Sequence, residues 1–161
     1  MEVRRARPED LPSALALLGA CGLTPSGVAD HFHNFWVACD RGRVVATAGL
    51  EVYRQVALLR SVATQPAFRG QGLARRVCAQ ALSEAARLGV RHVYLLTETG
   101  SGYFARHFGF QEVPRSELDP RLGASEELRG ACPDTARPMV CSLDASMLFD
   151  PPEYRSREGE P

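Results

Sequence analysis

An α/β domain built on a mixed sheet is predicted by three stretches of this 161-residue chain. Over 56–97, an apolar run (56–64), a glycine-bearing turn, an amphipathic segment to about Leu88 and a second apolar run (90–97) read as strand, helix, strand. Such a β-α-β unit, with its right-handed crossover, makes neighbouring parallel strands. Residues 35–39 and 44–53, joined by Asp40-Arg41-Gly42-Arg43, read as a β-hairpin, so antiparallel strands share the sheet. Leu11, Ala14, Leu15 and Leu18 recur at i, i+3, i+4 and i+7, the stripe of a helix that faces a core.

The remaining elements follow in order. A short strand over 3–6 leads to Pro8-Glu9-Asp10, where proline and acids suit a first helical turn, and that helix stops near 19–22. A second short helix is expected within 24–33, after Pro25-Ser26-Gly27. The polar Arg54-Gln55 turn joins the hairpin to the 56–64 strand. The helix opening at Gly72 is expected to bury Ala74, Val77, Cys78, Ala81, Leu82, Ala85 and Leu88. Arg75, Arg76, Gln80, Glu84 and Arg87 lie opposite, and Gly89 ends the helix. A further helix over 100–108 is closed by Gly109. Residues 114–138 turn polar and proline-rich, with a helix at 125–129, and 139–143 return as a last strand. Residues 1–145 should form a single domain, and 146–161, with almost nothing to bury, a disordered tail.

Composition narrows the function classes. Lys+Arg and Asp+Glu are equal at 19 each, so the global basic field that non-specific nucleic-acid binding needs is missing. All the basic residues are arginine, which excludes lysine Schiff-base and P-loop lysine chemistry. The five cysteines form an odd set without a C-x-x-C pair, as expected of reduced thiols in a cytoplasmic protein. No apolar stretch approaches ~20 residues, so neither a signal peptide nor a membrane span is expected. His31-x-His33 lacks an acidic or cysteine partner at ligand spacing, and no metal is expected.

Arg69-Gly70-Gln71-Gly72-Leu73-Ala74 sits between the strand and the helix. Two glycines leave backbone N–H groups uncovered, and the first helical turn adds donors without intrahelical partners, so the turn can cradle a diphosphate. A nucleotide P-loop fails for want of lysine. A dinucleotide fingerprint is weak, because Gln65-Pro66-Ala67-Phe68 intervene after the strand and Arg75 fills the third glycine position.

The stretch from Val62 through Thr64, Pro66 and Arg69 to Ala74 resembles the central motif of the GNAT acetyltransferases, [Q/R]-x-x-G-x-[G/A]. The hairpin before it, the parallel strand after it and the aromatic segment from Tyr103 to the Gly109-Phe110 pair extend the likeness over roughly residues 2–113. The resemblance implies a GNAT-like fold: a central mixed sheet with a splayed pair of parallel strands, and helices on both faces. It also implies acetyl-CoA. The backbone of Val62 and Thr64 would lie against pantetheine, and the N–H groups of Arg69, Gly70, Gln71, Gly72, Leu73 and Ala74 would meet the pyrophosphate. Arg69 and Arg75 would add charge. The alternative is that Gly70 and Gly72 only shape a tight turn.

Acetyl transfer to an amine calls for a base and for an acid to protonate the leaving thiolate. Glu51, on a strand beside the motif strand, is the leading base candidate, against a surface glutamate at the sheet's end. The family tyrosine lies four residues before the Gly-Phe pair, where this chain has Ala105; Tyr103 is the acid candidate if the helix is irregular, against a core or rim aromatic.

Leu58-Leu59-Arg60-Ser61-Val62, Tyr94-Leu95-Leu96-Thr97, Gly102-Tyr103-Phe104-Ala105-Arg106 and the segment around Cys132 resemble the arsenic-resistance N-acetyltransferase branch. More distantly they resemble the acetyltransferase domain of N-acetylglutamate synthase. That likeness implies a small-molecule acceptor, an amino acid or a glutamate mimic. Arg60, a charge in an apolar strand, would bind its carboxylate, with Ser61 and Thr97 beside it; the alternative is an internal ion pair with Glu51 or Glu98. Two other functions stay open: a non-catalytic acyl-CoA sensor and a protein N-terminal acetyltransferase. The hairpin and late strand could offer edges for a homodimer.

Overall fold

The computed structural model describes residues 1–131 and 135–144. The expected disordered tail (146–161) and Cys132 therefore lie outside the described residues. Seven strands form: β1 (Glu2–Arg5), β2 (Phe35–Asp40), β3 (Arg43–Tyr53), β4 (Val56–Thr64), β5 (His92–Thr97), β6 (Gln111–Glu112) and β7 (Arg137–Ser142), with β3 and β4 buried along nearly their whole length. They form one sheet in the order β1-β2-β3-β4-β5-β7-β6. Among the described residues only β4 and β5 are parallel neighbours. β1 and β6 are the sheet edges, and β6 pairs with only Met139 and Val140 of β7.

Helices cover both faces. α3 (Leu73–Arg87) packs Val77, Cys78, Ala81, Leu82 and Ala85 onto Ala46, Ala48, Leu50, Ala57 and Leu59 of the sheet. α4 (Ser101–Phe108) joins that core through Phe104. On the other face α1 (Leu11–Ala20) and α2 (Val28–His31) bury Ala14, Leu17, Leu18 and Val28 against Phe35, Val37 and Val44. Leu88, expected in the α3 stripe, is 43% exposed because it is the C-cap, one residue past the helix. Glu84, expected outward, is buried, its carboxylate held by Arg5 at 2.7 Å and Arg87 at 2.6 Å. The expected helix at 125–129 is a five-residue π-helical turn, Glu127–Ala131, preceded by a 3₁₀ turn, Pro120–Ala124.

Two features of β4 position the site. The parallel ladder with β5 covers Val56–Leu58 against His92–Tyr94 and stops there, although both strands run on to Thr64 and Thr97. The pair is splayed, as the family resemblance implies. β4 also carries a bulge: Gly49 pairs with Arg60 and Thr47 with Ala63, leaving Ser61 and Val62 opposite Ala48 alone. Ser61 takes a left-handed φ of 57°, and Thr47 Oγ1 donates to its carbonyl at 2.7 Å. Arg60 keeps the face of Val56 and Leu58, on the α2 side, and the extra residue turns Val62 to the opposite, α3 side.

Candidate active site

The splay opens a cleft of about 990 Å³ between the second halves of β4 and β5. Its floor is Leu59–Thr64, one wall is Leu95–Glu98, and the start of α3 closes one end. Tyr103 and Phe104 of α4 form a rim, and Cys21–Thr24, after α1, lie across β4.

At the α3 end, Gly70 and Gly72 both adopt left-handed φ values, 81° and 75°. Gly72 is the N-cap and supplies no side-chain cap, and the first intrahelical bond runs from Arg76 N to Gly72 O at 3.1 Å. Arg69 N still donates to Pro66 O at 3.3 Å, so of the N–H groups the sequence assigned to the anion it is those of residues 70–74, and not that of Arg69, that face a ligand or water. No atom lies within 4 Å of where a Cβ on Gly70 would sit. That open concavity, ringed by donors at a helix N-terminus, suits a diphosphate. Arg69 is exposed at the mouth and donates from Nε to Thr64 O at 3.1 Å. Gly70, Gly72, Leu73, Ala74 and Arg75 line the cleft, as do Val62 and Thr64; Gln71 is exposed and does not line it.

Beneath the other end lies a buried polar cluster. Arg60 and Glu51 side chains are both fully buried and pair at 2.7 Å, the internal ion pair that the sequence left as one option. Arg60 Nε donates to Ser61 Oγ at 3.0 Å, Nη1 also to Ser26 O, and Nη2 to Thr24 O at 3.2 Å. Four of the five guanidinium donors are thus engaged. Glu51 accepts from Tyr53 Oη at 2.5 Å, with His31 Nε2 3.8 Å away. Burial pushes the Glu51 carboxyl up, but the Tyr53 hydroxyl and the Arg60 guanidinium outweigh it and hold the group below the ordinary carboxylate range. Glu51 does not line the cleft, whereas Arg60 and Ser61 do.

Tyr103 reaches the rim from a regular helix, with no irregularity needed. It packs edge-on to Phe104 and His107, and burial, with the neighbouring Cys78, raises its hydroxyl above the ordinary range. Thr97 lines the cleft and its Oγ1 accepts from Gly100 N at 2.8 Å, capping the approach to α4. Sequence reasoning missed Glu127, which lines the cleft beside Arg60 from the π-helical turn. No periodicity or motif marks it. Among the described residues no group of three potential metal ligands gathers, and no helix is long and apolar enough to cross a membrane.

Comparison with known proteins decides the family. The acetyltransferase (GNAT) family profile matches residues 5–110, well over half the chain. The chain belongs to the GNAT acetyltransferase family. The family's chemistry is N-acetyl transfer, and its donor is acetyl-CoA. An amino-acid acetyltransferase of Mycobacterium tuberculosis is 34% identical over 122 residues, 69% of this chain and 68% of that protein. An uncharacterized N-acetyltransferase of Chlorobaculum tepidum is 28% identical over 96 residues, 59% of this chain; the match spans 61% of that relative's length. Among solved structures, Rv2747 of Mycobacterium tuberculosis in complex with CoA superposes with a TM-score of 0.73 at 24% identity, covering 89% of this chain and 99% of that one. N-acetylglutamate synthase of Neisseria gonorrhoeae, complexed with coenzyme A and N-acetyl-glutamate, gives 0.73 at 21% identity over 88% of this chain and 35% of that one. Both likenesses are of fold.

Proposed function

We propose that this GNAT protein acetylates the primary amine of a free amino acid or a glutamate-like small molecule, through one acetyltransferase domain spanning 1–145. The observation that carries this reading is the splayed β4–β5 cleft, which runs without a break from the uncapped start of α3 to the Arg60 cluster. One end is fitted for a diphosphate, and the other for a small charged molecule. The amino-acid acetyltransferase relative supports the acceptor class, as do the short segments that resemble the arsenic-resistance branch.

Acetyl-CoA supplies an activated acetyl thioester when bound. The N–H groups of residues 70–74 would hold its diphosphate, with the side chains of Arg69 and Arg75 adding charge. The backbone of Val62 and Thr64, on the half of β4 that β5 leaves unpaired, is available to an extended pantetheine arm. Tyr103 keeps its proton at neutral pH and donates it to the departing thiolate. Glu51 acts as the counter-ion that fixes Arg60, whose buried guanidinium would lie as positive charge beneath an acceptor carboxylate, with Ser61 and Thr97 as further polar contacts.

Thiol release from acetyl-CoA, measured across a panel of free amino acids and short peptides, tests this. Release stimulated by one or a few free amino acids is expected. Faster turnover of peptide amines than of every free amino acid would overturn the acceptor class. Release with none of them would leave a cofactor-binding protein in place of this enzyme.

A further inference from the structure

A carboxylate without a partner stands at the acceptor end of the cleft. Among the described residues only Glu98 and Glu127 bring carboxylates to the lining. Glu98 is exposed at the mouth and accepts from Thr135 Oγ1 at 2.8 Å. Glu127 is half-buried on its π-helical turn, and among the described residues it accepts no hydrogen bond and makes no ion pair. A desolvated carboxylate without donors is costly, and an ammonium in the cleft would relieve that cost.

The charged groups around it are accounted for elsewhere. Arg60 on β4 and Glu51 on β3 neutralise each other, and Tyr53 and His31 stand behind Glu51. Glu126 turns toward Gly27, with Oε2 3.3 Å from its Cβ position, and Arg129 donates to Ala124 O at 3.2 Å. In the preceding 3₁₀ turn Arg121 pairs with Asp119 at 2.9 Å.

We propose that Glu127 is the general base that takes a proton from the acceptor's ammonium, directly or through one water. This rests on the acceptor being a primary amine in this cleft. The ammonium carries two protons more than the amide keeps. Glu127 takes one and returns it to solvent; the other leaves the nitrogen as the C–N bond forms and the C–S bond breaks, and the CoA sulfur ends protonated. Burial pushes the Glu127 carboxyl up, the nearby Arg60 draws it back and Glu51 adds to the rise, leaving it at about 7. A base that ionises near neutral pH combines availability with strength.

The test compares wild type with Glu127→Gln and Glu127→Asp, using the free amino acid that wild type turns over fastest. In wild type, kcat/KM for the acceptor should rise to an inflection near pH 7 and then level. E127Q should lose roughly 10²-fold in kcat and the inflection with it, its rate climbing with the free-amine fraction to higher pH, while calorimetric acetyl-CoA affinity is unchanged. E127D should keep the inflection. An E127Q profile of wild-type shape would overturn the assignment. Carbon-13 NMR of the glutamate carboxyls in the acceptor-free protein, with E127D to assign the resonance by its loss from the glutamate set, gives a reading that needs no substrate. Titration of Glu127 near neutrality is expected, and titration in the ordinary carboxylate range would overturn the proposal even if E127Q misfolds. Loss of acetyl-CoA binding by wild type would instead strike at the proposed function.

Discussion

Arg60 and Glu51 are a fully buried ion pair, and its value lies in what happens when one partner is lost. Glu51→Gln leaves the guanidinium without its counter-charge and should cost about 3–5 kcal/mol in urea unfolding. Replacing both residues with apolar ones of similar volume should cost far less. Because the folded Glu51 carboxyl is held below its unfolded value, its contribution is complete above the ordinary carboxylate range and is lost as pH falls through the folded value. The single variant should therefore show a flatter stability profile on the acid side than wild type. Tyr103→Phe keeps the aromatic packing with Phe104 and His107 and removes only the hydroxyl. If that hydroxyl protonates the thiolate, kcat should fall roughly 10²-fold with little change in acceptor KM. An unaltered kcat would return Tyr103 to a packing role.

Single elements differ in how clearly the sequence announces them. The stripe of α3 and the strand pairing of 56–64 with 90–97 could be read because apolar spacing alone sets them. Glu84 could not, since its burial depends on Arg5, which lies 79 positions earlier (84 − 5). β6 is two residues long and carries no period. The bulge at Ser61 needs a serine at φ 57°, which nothing in the local sequence demands, yet it sets the facing of Val62. Glu127 escaped for a similar reason: tertiary contact brings a polar, proline-rich segment to the cleft. The hairpin carries a tighter constraint. A Cβ on Gly49 would fall 2.2 Å from the ring of Phe35, its register partner on β2, which is fully buried. Gly49→Ala should cost about 1–3 kcal/mol through overpacking, measured as a lower urea midpoint at unchanged m-value. An unchanged midpoint would mean that β2 and β3 yield more readily than the contact implies.

At the scale of the molecule, the sheet supports α3, the parting of β4 from β5 opens the cleft, and the glycine turn gives one end of that cleft its donors. The donor end was legible because glycine, proline and arginine occupy local positions in one continuous stretch. The acceptor end was not, because it is assembled from β3, β4, the segment before α2 and the turn at 127–131. The central claim is that this cleft holds acetyl-CoA by its diphosphate at residues 69–75. Isothermal calorimetry on the intact chain and on Gly72→Trp, with circular dichroism to verify folding, tests it most directly. Saturable acetyl-CoA binding by wild type that is lost in the folded variant is the predicted result; no binding by wild type, or full-strength binding by the variant, would contradict it.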